Sequence, residues 1–353
     1  MVAHALLFQG KPGALSLPLA LAYAGYLHCQ NRKADDVCGE CAACVLSKKY
    51  IHPDTHFAYP VGNMKTDLKE NDEAVLRSEI LKLWRSFLLE NQFGSPADWI
   101  AHYGGEDKQP IISREEGREI IKSLSLKPFQ SKYKVMIIWQ PEMMHASAAN
   151  GLLKILEEPP ANTVFILVSE RAEQLLPTII SRTQKITVPL LSDDEVAAEL
   201  FNLKVSKDKA ESISALAEGN LNLALKLMDE EDPHYHEVFS DWMRSCFKSE
   251  FGKIVAMADD FHEQDRLYQR SFLQYGLSMI RETLLSVSSA QTLHRTRGGE
   301  REFIEKFKNV FTLKKLEASY QLLTDASYFL ERNGSAKMIF TDLSIQFSKV
   351  LKG

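Results

Sequence analysis

The chain has 353 residues, 45% of them hydrophobic, and a formal net charge of −5 at pH 7. This length and composition predict a soluble globular protein of about two or three domains, and the negative balance argues against independent, tight DNA binding. No run approaches the roughly 18 consecutive apolar residues of a membrane span, and the start MVAHALLFQG lacks the basic segment of a signal peptide. We therefore expect a cytoplasmic protein with no membrane contact.

Continuous apolar runs predict the strands of a buried parallel sheet, because strands covered on both faces lack polar alternation. These runs lie at 4–9, 133–139, 163–169 and 185–190. One helix is predicted from Leu17 to His28, and another within SAANGLLKILEEPP, residues 147–160, between the second and third strands. Strand, helix and strand in this order imply a right-handed crossover, so an α/β domain is predicted.

The segment 57–110 is harder to assign to this sheet. Residues 74–91, AVLRSEILKLWRSFLLEN, have the spacing of an amphipathic helix, whereas 62–73 and 102–109 have the composition of loops. We interpret the segment as an insertion in the first domain, with no role assigned.

Beyond Pro189 the chain is predicted to be helical nearly to its end. Ser192 and Glu195 form a capping-box pattern at the start of an apolar helix. Further on, six residues have the spacing of a core-facing helix stripe: Phe272, Tyr275, Met279, Ile280, Thr283 and Leu284. An all-α region therefore follows the α/β domain.

Four of the five cysteines crowd one short stretch: Cys29, Cys38, Cys41 and Cys44. Disulfides are rare in cytosolic proteins, whereas C-x2-C spacing lets thiolates converge on a metal. An iron–sulfur cluster is the alternative, but no further cysteine followed by proline lies downstream, so zinc is preferred. Four thiolates leave no open coordination position, so the zinc is expected to be structural. Cys246 is predicted to be a buried apolar side chain, and His52 to order the chain that leaves this module.

Residues 4–24 begin like the strand, glycine turn and helix of a phosphate-binding loop. Gly10 and Gly13 have suitable spacing, but the positions of the second glycine, the lysine and the hydroxyl residue hold Leu15, Ser16 and Leu17. A P-loop ATPase also needs a carboxylate after a buried strand to hold Mg²⁺. Gln140 and Pro141 follow the strand at 133–139 instead, and Glu142 is displaced. Two requirements for ATP hydrolysis therefore fail. On its residues alone, the glycine turn could equally be a plain connection between a strand and a helix.

Three stretches resemble bacterial replication clamp-loader subunits, a branch of the AAA+ ATPases. NGLLKILEEPP (150–160) and TVFILVSERAEQLLPTIISRT (163–183) are similar to two of that family's motifs, and residues 28–54 are similar to its four-cysteine zinc module. The resemblance implies that Leu15 and Ser16 replace the Walker A glycine and lysine, and that Trp139 and Gln140 replace the Walker B acidic pair. No ATP is then expected on this chain.

The same resemblance concerns two further positions at which the family carries arginine. The sensor 2 arginine of active members aligns with Asn222, which is another lost ATP contact. Arg182, in S-R-T where the family has S-R-C, matches the arginine that a subunit offers to its neighbour's ATP. Thr183 in place of cysteine leaves that guanidinium unchanged. The resemblance therefore implies a non-hydrolysing member that acts on ATP in trans.

The fold implied by the family has three parts. Residues 1–190 would form a RecA-like AAA+ α/β domain with the zinc module at 29–54, 191–238 a small helical lid, and 239–353 an all-α collar for oligomerisation. The implied partners are the gamma/tau ATPase subunits and the delta subunit, and through the complex the sliding clamp and primer–template DNA. Two alternatives remain: an active NTPase with an unorthodox site, and a zinc-dependent nucleic-acid-binding module. In that module the basic residues Arg32, Lys33, Lys48 and Lys49 are offset by Asp35, Asp36 and Glu40.

Overall fold

The computed structural model describes residues 2–62, 73–105, 110–125, 127–229, 234–288, 299–332 and 334–352. Most of the predicted loop at 62–73 and the last four residues of that at 102–109 lie outside these ranges. The chain forms two compact units, Met1–Val196 with Gly219–Leu223, and Ala197–Glu218 with Ala224–Gly353. Within the described residues, no helix combines the length and apolarity needed to span a membrane.

The first unit is built on a five-stranded parallel sheet of order β2-β3-β4-β1-β5. Its strands are β1 (Ala5–Gly10), β2 (Thr55–Ala58), β3 (Lys134–Trp139), β4 (Thr163–Ser169) and β5 (Gln184–Val188). Every residue of β3 and β4 is buried, as expected of central strands covered on both faces. Four of the strands confirm the sequence prediction to within two residues, whereas β2 was not predicted.

Helices cover both faces of the sheet. They are α1 (Ser16–His28), α2 (Ala42–Lys48), α3 (Glu73–Glu90), α4 (Pro96–His102), α5 (Arg114–Ser125), α6 (Ala146–Glu157) and α7 (Pro177–Ile180), with 3₁₀ turns at Pro141–Met143 and Ala172–Gln174. Leu17 of α1 and Trp84 of α3 belong to the core on one face, and Ile120 of α5 and Leu156 of α6 to the core on the other. The parallel α/β prediction is confirmed.

The segment predicted to be an insertion contributes directly to the core. Trp84 and Trp99 are fully buried, and the Trp99 indole Nε1 donates to the carbonyl of Pro60 over 2.8 Å. Trp84 also stacks on Tyr59, with ring centroids 4.2 Å apart. The described part of this segment therefore contributes to the core of the first unit.

In the second unit the described residues form helices and their connections, with no strand among them. Two helices begin in the first unit, α8 (Asp193–Asn202) and α10 (Leu221–Asp229). The others are α9 (Lys207–Ala217), α11 (Tyr235–Lys248), α12 (Phe251–Glu263), α13 (Arg266–Val287), α14 (Gly299–Phe307), α15 (Leu313–Glu331) and α16 (Ala336–Lys352). They enclose one apolar core that includes Trp242, Phe272 and Phe340. Leu216 of α9 packs against this same core. The division into a lid at 191–238 and a collar at 239–353 stays a prediction.

Several local predictions for the helical region hold. Glu195 accepts from the backbone N–H of Ser192 over 2.7 Å, and Ser192 Oγ accepts from the N–H of Glu195 over 3.3 Å, which completes the capping box. Cys246 is fully buried. Five of the six stripe residues on α13 are buried, but Leu284 is 36% exposed, so including it was wrong. It lies beside the stripe, because successive helical residues are rotated by about 100°.

Candidate functional site

The four predicted cysteines converge at the ends of α1 and α2. Cys29 directly follows α1, Cys41 is the N-cap of α2 and Cys44 lies within it. All four Sγ atoms lie within 4.8 Å of one another; Cys38 Sγ is 3.6 Å from Cys29 Sγ and 3.8 Å from Cys44 Sγ. A tetrahedral zinc with bonds of about 2.3 Å requires sulfur–sulfur distances of about 3.8 Å. The donor set therefore fits a tetrahedral metal ion.

Hydrogen bonds and burial act on these thiols in opposite directions. The backbone N–H of Cys38 donates to Cys29 Sγ over 3.3 Å, and that of Cys41 to Cys38 Sγ over 3.4 Å. The pKa of Cys41 falls to about 6, chiefly because the backbone N–H of Gln30 donates to its sulfur. Burial raises the pKa of Cys44 to about 12. A bound cation would supply the compensation that the buried thiolate requires.

The His-Pro-Asp stretch after this module organises the chain that leads into β2. The buried His52 accepts the backbone N–H of Asp54 at Nδ1 over 3.2 Å, and its ring stacks on that of His28 with centroids 3.9 Å apart. This confirms the expected ordering role of His52. Sequence reasoning did not assign a role to Asp54, which is 1% exposed and accepts three backbone N–H groups from residues 129–131.

The space beside the glycine turn between β1 and α1 is filled by Ser16 and by Asn220. Gly13 has φ +88°, and a Cβ there would lie 2.3 Å from Cγ of Asn220. A Cβ on Gly10 would lie 2.5 Å from the hydroxyl of Ser16. Leu15 caps α1 with no side-chain hydrogen bond. The turn thus packs Ser16 and Asn220 against the glycines, and neither Leu15 nor Ser16 provides a cation for a phosphate.

At the end of β3, an aromatic cluster occupies the position where an ATPase would carry an acid. Trp139 is 2% exposed, and its ring centroid lies 5.2 Å from that of Trp84 and 6.1 Å from that of Phe87. Gln140 is fully buried with φ +54°, a conformation that non-glycine residues seldom adopt. Neither Trp139 nor Gln140 carries a carboxylate, which is the side-chain ligand that Mg²⁺ prefers.

Two carboxylates do lie at this edge of the sheet. Glu142 Oε1 accepts the backbone N–H groups of Glu170 and Arg171, each over 3.1 Å, and so ties the segment after β3 to the end of β4. Burial, and then the charge of Glu142, raises the pKa of Glu170 to about 7. Sequence reasoning found Glu142 but missed Glu170, because its importance depends on burial beside a second acid and not on a motif.

Asn222, at the sensor 2 position, is engaged within the first unit. Its Nδ2 donates to Asp98 Oδ2 over 2.7 Å. The same Asp98 oxygen accepts the backbone N–H of Ser95 over 2.8 Å, as part of the capping box of α4. The amide therefore stabilises a helix start, and it carries no charge for a phosphate.

Arg182 lies on the surface just after α7. Its Nη1 donates to the carbonyl of Thr178 over 3.0 Å, and its Nη2 forms an ion pair with Glu157 Oε1 at the end of α6. The side chain of Arg182 is 33% exposed and that of Glu157 49%. Glu157 is thus a solvent-exposed residue at a helix end that also pairs with Arg182. No local spacing could have indicated that pair.

Comparisons with known proteins agree with the resemblance. A family model described as "DNA polymerase III, delta subunit" matches residues 1–192. The delta' subunit of DNA polymerase III from Pseudomonas aeruginosa is 31% identical over 188 residues, 53% of this chain and 44% of that protein. The delta' subunit from Bacillus subtilis is 28% identical over 209 residues (59% and 49%), and the tau subunit from the same organism is 27% identical over 233 residues (64% and 33%). This chain thus spans less than half the length of each relative.

Proposed function

Because this chain belongs to the DNA polymerase III delta-subunit family, we propose that it is a delta-prime subunit of a replicative clamp loader. In this role it binds and hydrolyses no ATP itself. It assembles with gamma/tau ATPase subunits and a delta subunit, and it offers Arg182 to ATP held by a neighbour. The assembled complex loads a sliding clamp on primer–template DNA.

This proposal rests on one contrast: the chain has lost the residues that would bind its own ATP, but it keeps the arginine that would act on a neighbour's ATP. The positions that would hold a nucleotide on this chain are occupied by Ser16, Trp139 and Asn222, which pack against Gly10, an aromatic cluster and Asp98 respectively. Arg182, in contrast, keeps its charged group at the surface and 33% exposed. A chain that has lost its own site but retains this arginine is suited to act in trans.

The chemistry of an arginine finger requires only a fixed guanidinium. A planar, permanently charged group placed against a γ-phosphate stabilises charge that spreads over the phosphoryl oxygens in the transition state, which is worth about 10³ to 10⁵ in rate in other NTPases. Arg182 meets these needs because Thr178 and Glu157 hold its two terminal nitrogens. Loss of ATP binding on this chain would leave that function intact.

We assign the cysteine cluster to a structural zinc ion. Cys29, Cys38, Cys41 and Cys44 would fill all four tetrahedral positions, which leaves none for water or substrate. The ion would fix the end of α1 against the start of α2 and the chain that continues to β2. Its contribution is to the stability of the first unit, and no step of ATP chemistry involves it.

The second unit offers apolar surface for assembly. Phe247 near the end of α11 is 51% exposed, and Phe251 and Val255 on α12 are 54% and 46% exposed. Tyr328 and Phe329 on α15 are 48% and 55% exposed. Exposed apolar residues in such groups favour contact with other proteins. This supports a collar at 239–353 that binds the ATPase and delta subunits, preceded by a lid at 191–238.

Reconstitution of the complex tests the proposal. The chain is mixed with gamma/tau and delta subunits, the mass of the complex is measured, and ATP hydrolysis is followed with and without primed DNA. Arg182→Ala should assemble normally but abolish hydrolysis at the adjoining ATP site, so that the DNA-stimulated rate falls by that site's share. Arg171→Ala removes another exposed arginine of the same unit and should leave the rate unchanged. ATP turnover by the isolated chain, or full activity with Arg182→Ala, would refute the proposal.

A further inference from the structure

The loop 127–133, which connects α5 to β3, presents the most exposed large apolar side chain among the described residues. Phe129 is 86% exposed. The loop precedes the first residue of β3, so it lies at the amino edge of the sheet, whereas the glycine turn after β1 lies at the carboxyl edge. It is therefore separate from the degenerate nucleotide site and from the roles proposed above.

The backbone of this loop is held in place. The buried carboxylate of Asp54 accepts the N–H groups of Phe129, Gln130 and Ser131 over 2.5, 2.8 and 2.7 Å. Burial alone would raise the pKa of Asp54, but these three donors outweigh it and lower the pKa, so the charged form persists. A loop braced by three charge-assisted hydrogen bonds has little conformational entropy left to lose on binding. The exposed ring is thus pre-positioned.

The charges on the side chains of the loop itself are positive. Lys127 and Lys132 are exposed, and no acidic residue occurs between 127 and 133. The ammonium group of Lys132 lies over the ring of Tyr133, 5.2 Å from its centroid. The next lysine, Lys134, is buried and donates to the carbonyl of Ser123 over 2.9 Å, so it serves the fold.

An exposed aromatic ring between lysines matches nucleic acid better than protein. Proteins that bind single-stranded nucleic acid without sequence preference stack bases on aromatic side chains and contact the phosphates with positively charged residues. Lysine is depleted at protein–protein interfaces, where arginine is the preferred cation. We propose that the loop 127–133 is a contact site for single-stranded DNA, with one base stacked on Phe129 and the flanking phosphates bound by Lys127 and Lys132.

A tryptophan at position 129 would report this stacking directly. The four natural tryptophans are all at most 2% exposed, so they are shielded from a bound base. In Phe129→Trp, the new indole should be quenched by added oligothymidine, while the unmodified chain shows no quenching. Binding of a labelled oligothymidine to the full chain should weaken with salt along a log–log slope of about −1.4, since each phosphate contact on a single strand contributes about −0.7.

Substitutions separate stacking from other effects. Loss of one stacked base in Phe129→Ala should weaken binding by about 5- to 150-fold, while Phe129→Trp retains the stacking. The matched control is Phe201→Ala, which removes another exposed phenylalanine, 63% exposed on α8 and outside the loop 127–133. Its affinity should be unchanged. Equal affinity of Phe129→Ala and the unmodified chain would overturn the proposal. So would a defect of Phe129→Ala confined to assembly with other subunits, which would make the loop a protein contact.

Discussion

Glu157, the last residue of α6, forms an ion pair with Arg182, which lies 25 residues further along the chain and just beyond α7. The pair joins the ends of α6 and α7, the helices that precede and follow β4 in the chain. Since Nη1 of the same guanidinium donates to the carbonyl of Thr178, both terminal nitrogens are held. Arg182 is therefore oriented before any partner arrives, and Glu157 is the group that orients its Nη2.

Loss of the charge at position 157 should impair the proposed arginine finger without removing it. Glu157→Gln keeps an oxygen acceptor but weakens a solvent-screened ion pair by at most about 1 kcal/mol, so hydrolysis at the adjoining site should fall by at most about fivefold. The measurement is the DNA-stimulated ATPase of the reconstituted complex. Glu158→Gln, which changes the neighbouring exposed glutamate, should behave like the unmodified chain. A faster rate in Glu157→Gln would mean that the carboxylate competes with the triphosphate.

Removal of one cysteine of the cluster should release the metal. Cys41→Ser leaves three sulfur ligands, so zinc content measured by mass spectrometry should fall from about one ion per chain to near zero, and the first unit should unfold at a lower temperature. Cys246→Ser is the control, because this cysteine is buried in the second unit, outside the cluster. It should alter the stability of that unit and leave the zinc content unchanged. Zinc retained at full occupancy by Cys41→Ser would show that the ligand set is different.

A lysine restored to the glycine turn should not restore ATP hydrolysis. Ser16→Lys adds the missing cation, but Trp139 and Gln140 still provide no carboxylate for Mg²⁺, and the Ser16 position is packed against Gly10. We expect no turnover above the unmodified chain in a phosphate-release assay. Appreciable hydrolysis would identify Glu142 or Glu170 as an acid able to serve the missing function.

The sequence predicted what is encoded locally and missed what depends on contacts between distant residues. Strands β3 and β4 are unbroken apolar runs, and the cysteines are close in sequence, so both were found. Strand β2 has four residues, includes a histidine and lies at the sheet edge, so its pattern is too short to recognise. The contact of Glu157 with Arg182 and that of Asp54 with the loop at 129–131 arise only when the sheet assembles its connections side by side.

The burial of Glu170 should make the stability of the first unit depend on pH. Its pKa is raised from 4.5 to about 7 in the folded chain, so between these values the folded state binds the proton more tightly than the unfolded state does. Stability from this residue is therefore present at low pH and is lost as the pH rises towards 7. Glu170→Gln, which stays neutral, should avoid that loss and gain about 1–3 kcal/mol over the unmodified chain at pH 8, with little gain at pH 4.5.

Urea unfolding followed by tryptophan fluorescence measures this difference, because Trp84, Trp99 and Trp139 all lie in the first unit. Comparison of the two chains at each pH cancels the titration of every group that they share. Glu173→Gln changes an exposed glutamate on the following turn, and its difference from the unmodified chain should be the same at both pH values. If the difference in unfolding free energy between Glu170→Gln and the unmodified chain were also the same at both pH values, the proposed shift of the Glu170 pKa would be wrong and the carboxylate would be charged in the folded chain. Glu142 and Glu170 would then form a pair of anions at the carboxyl edge of the sheet.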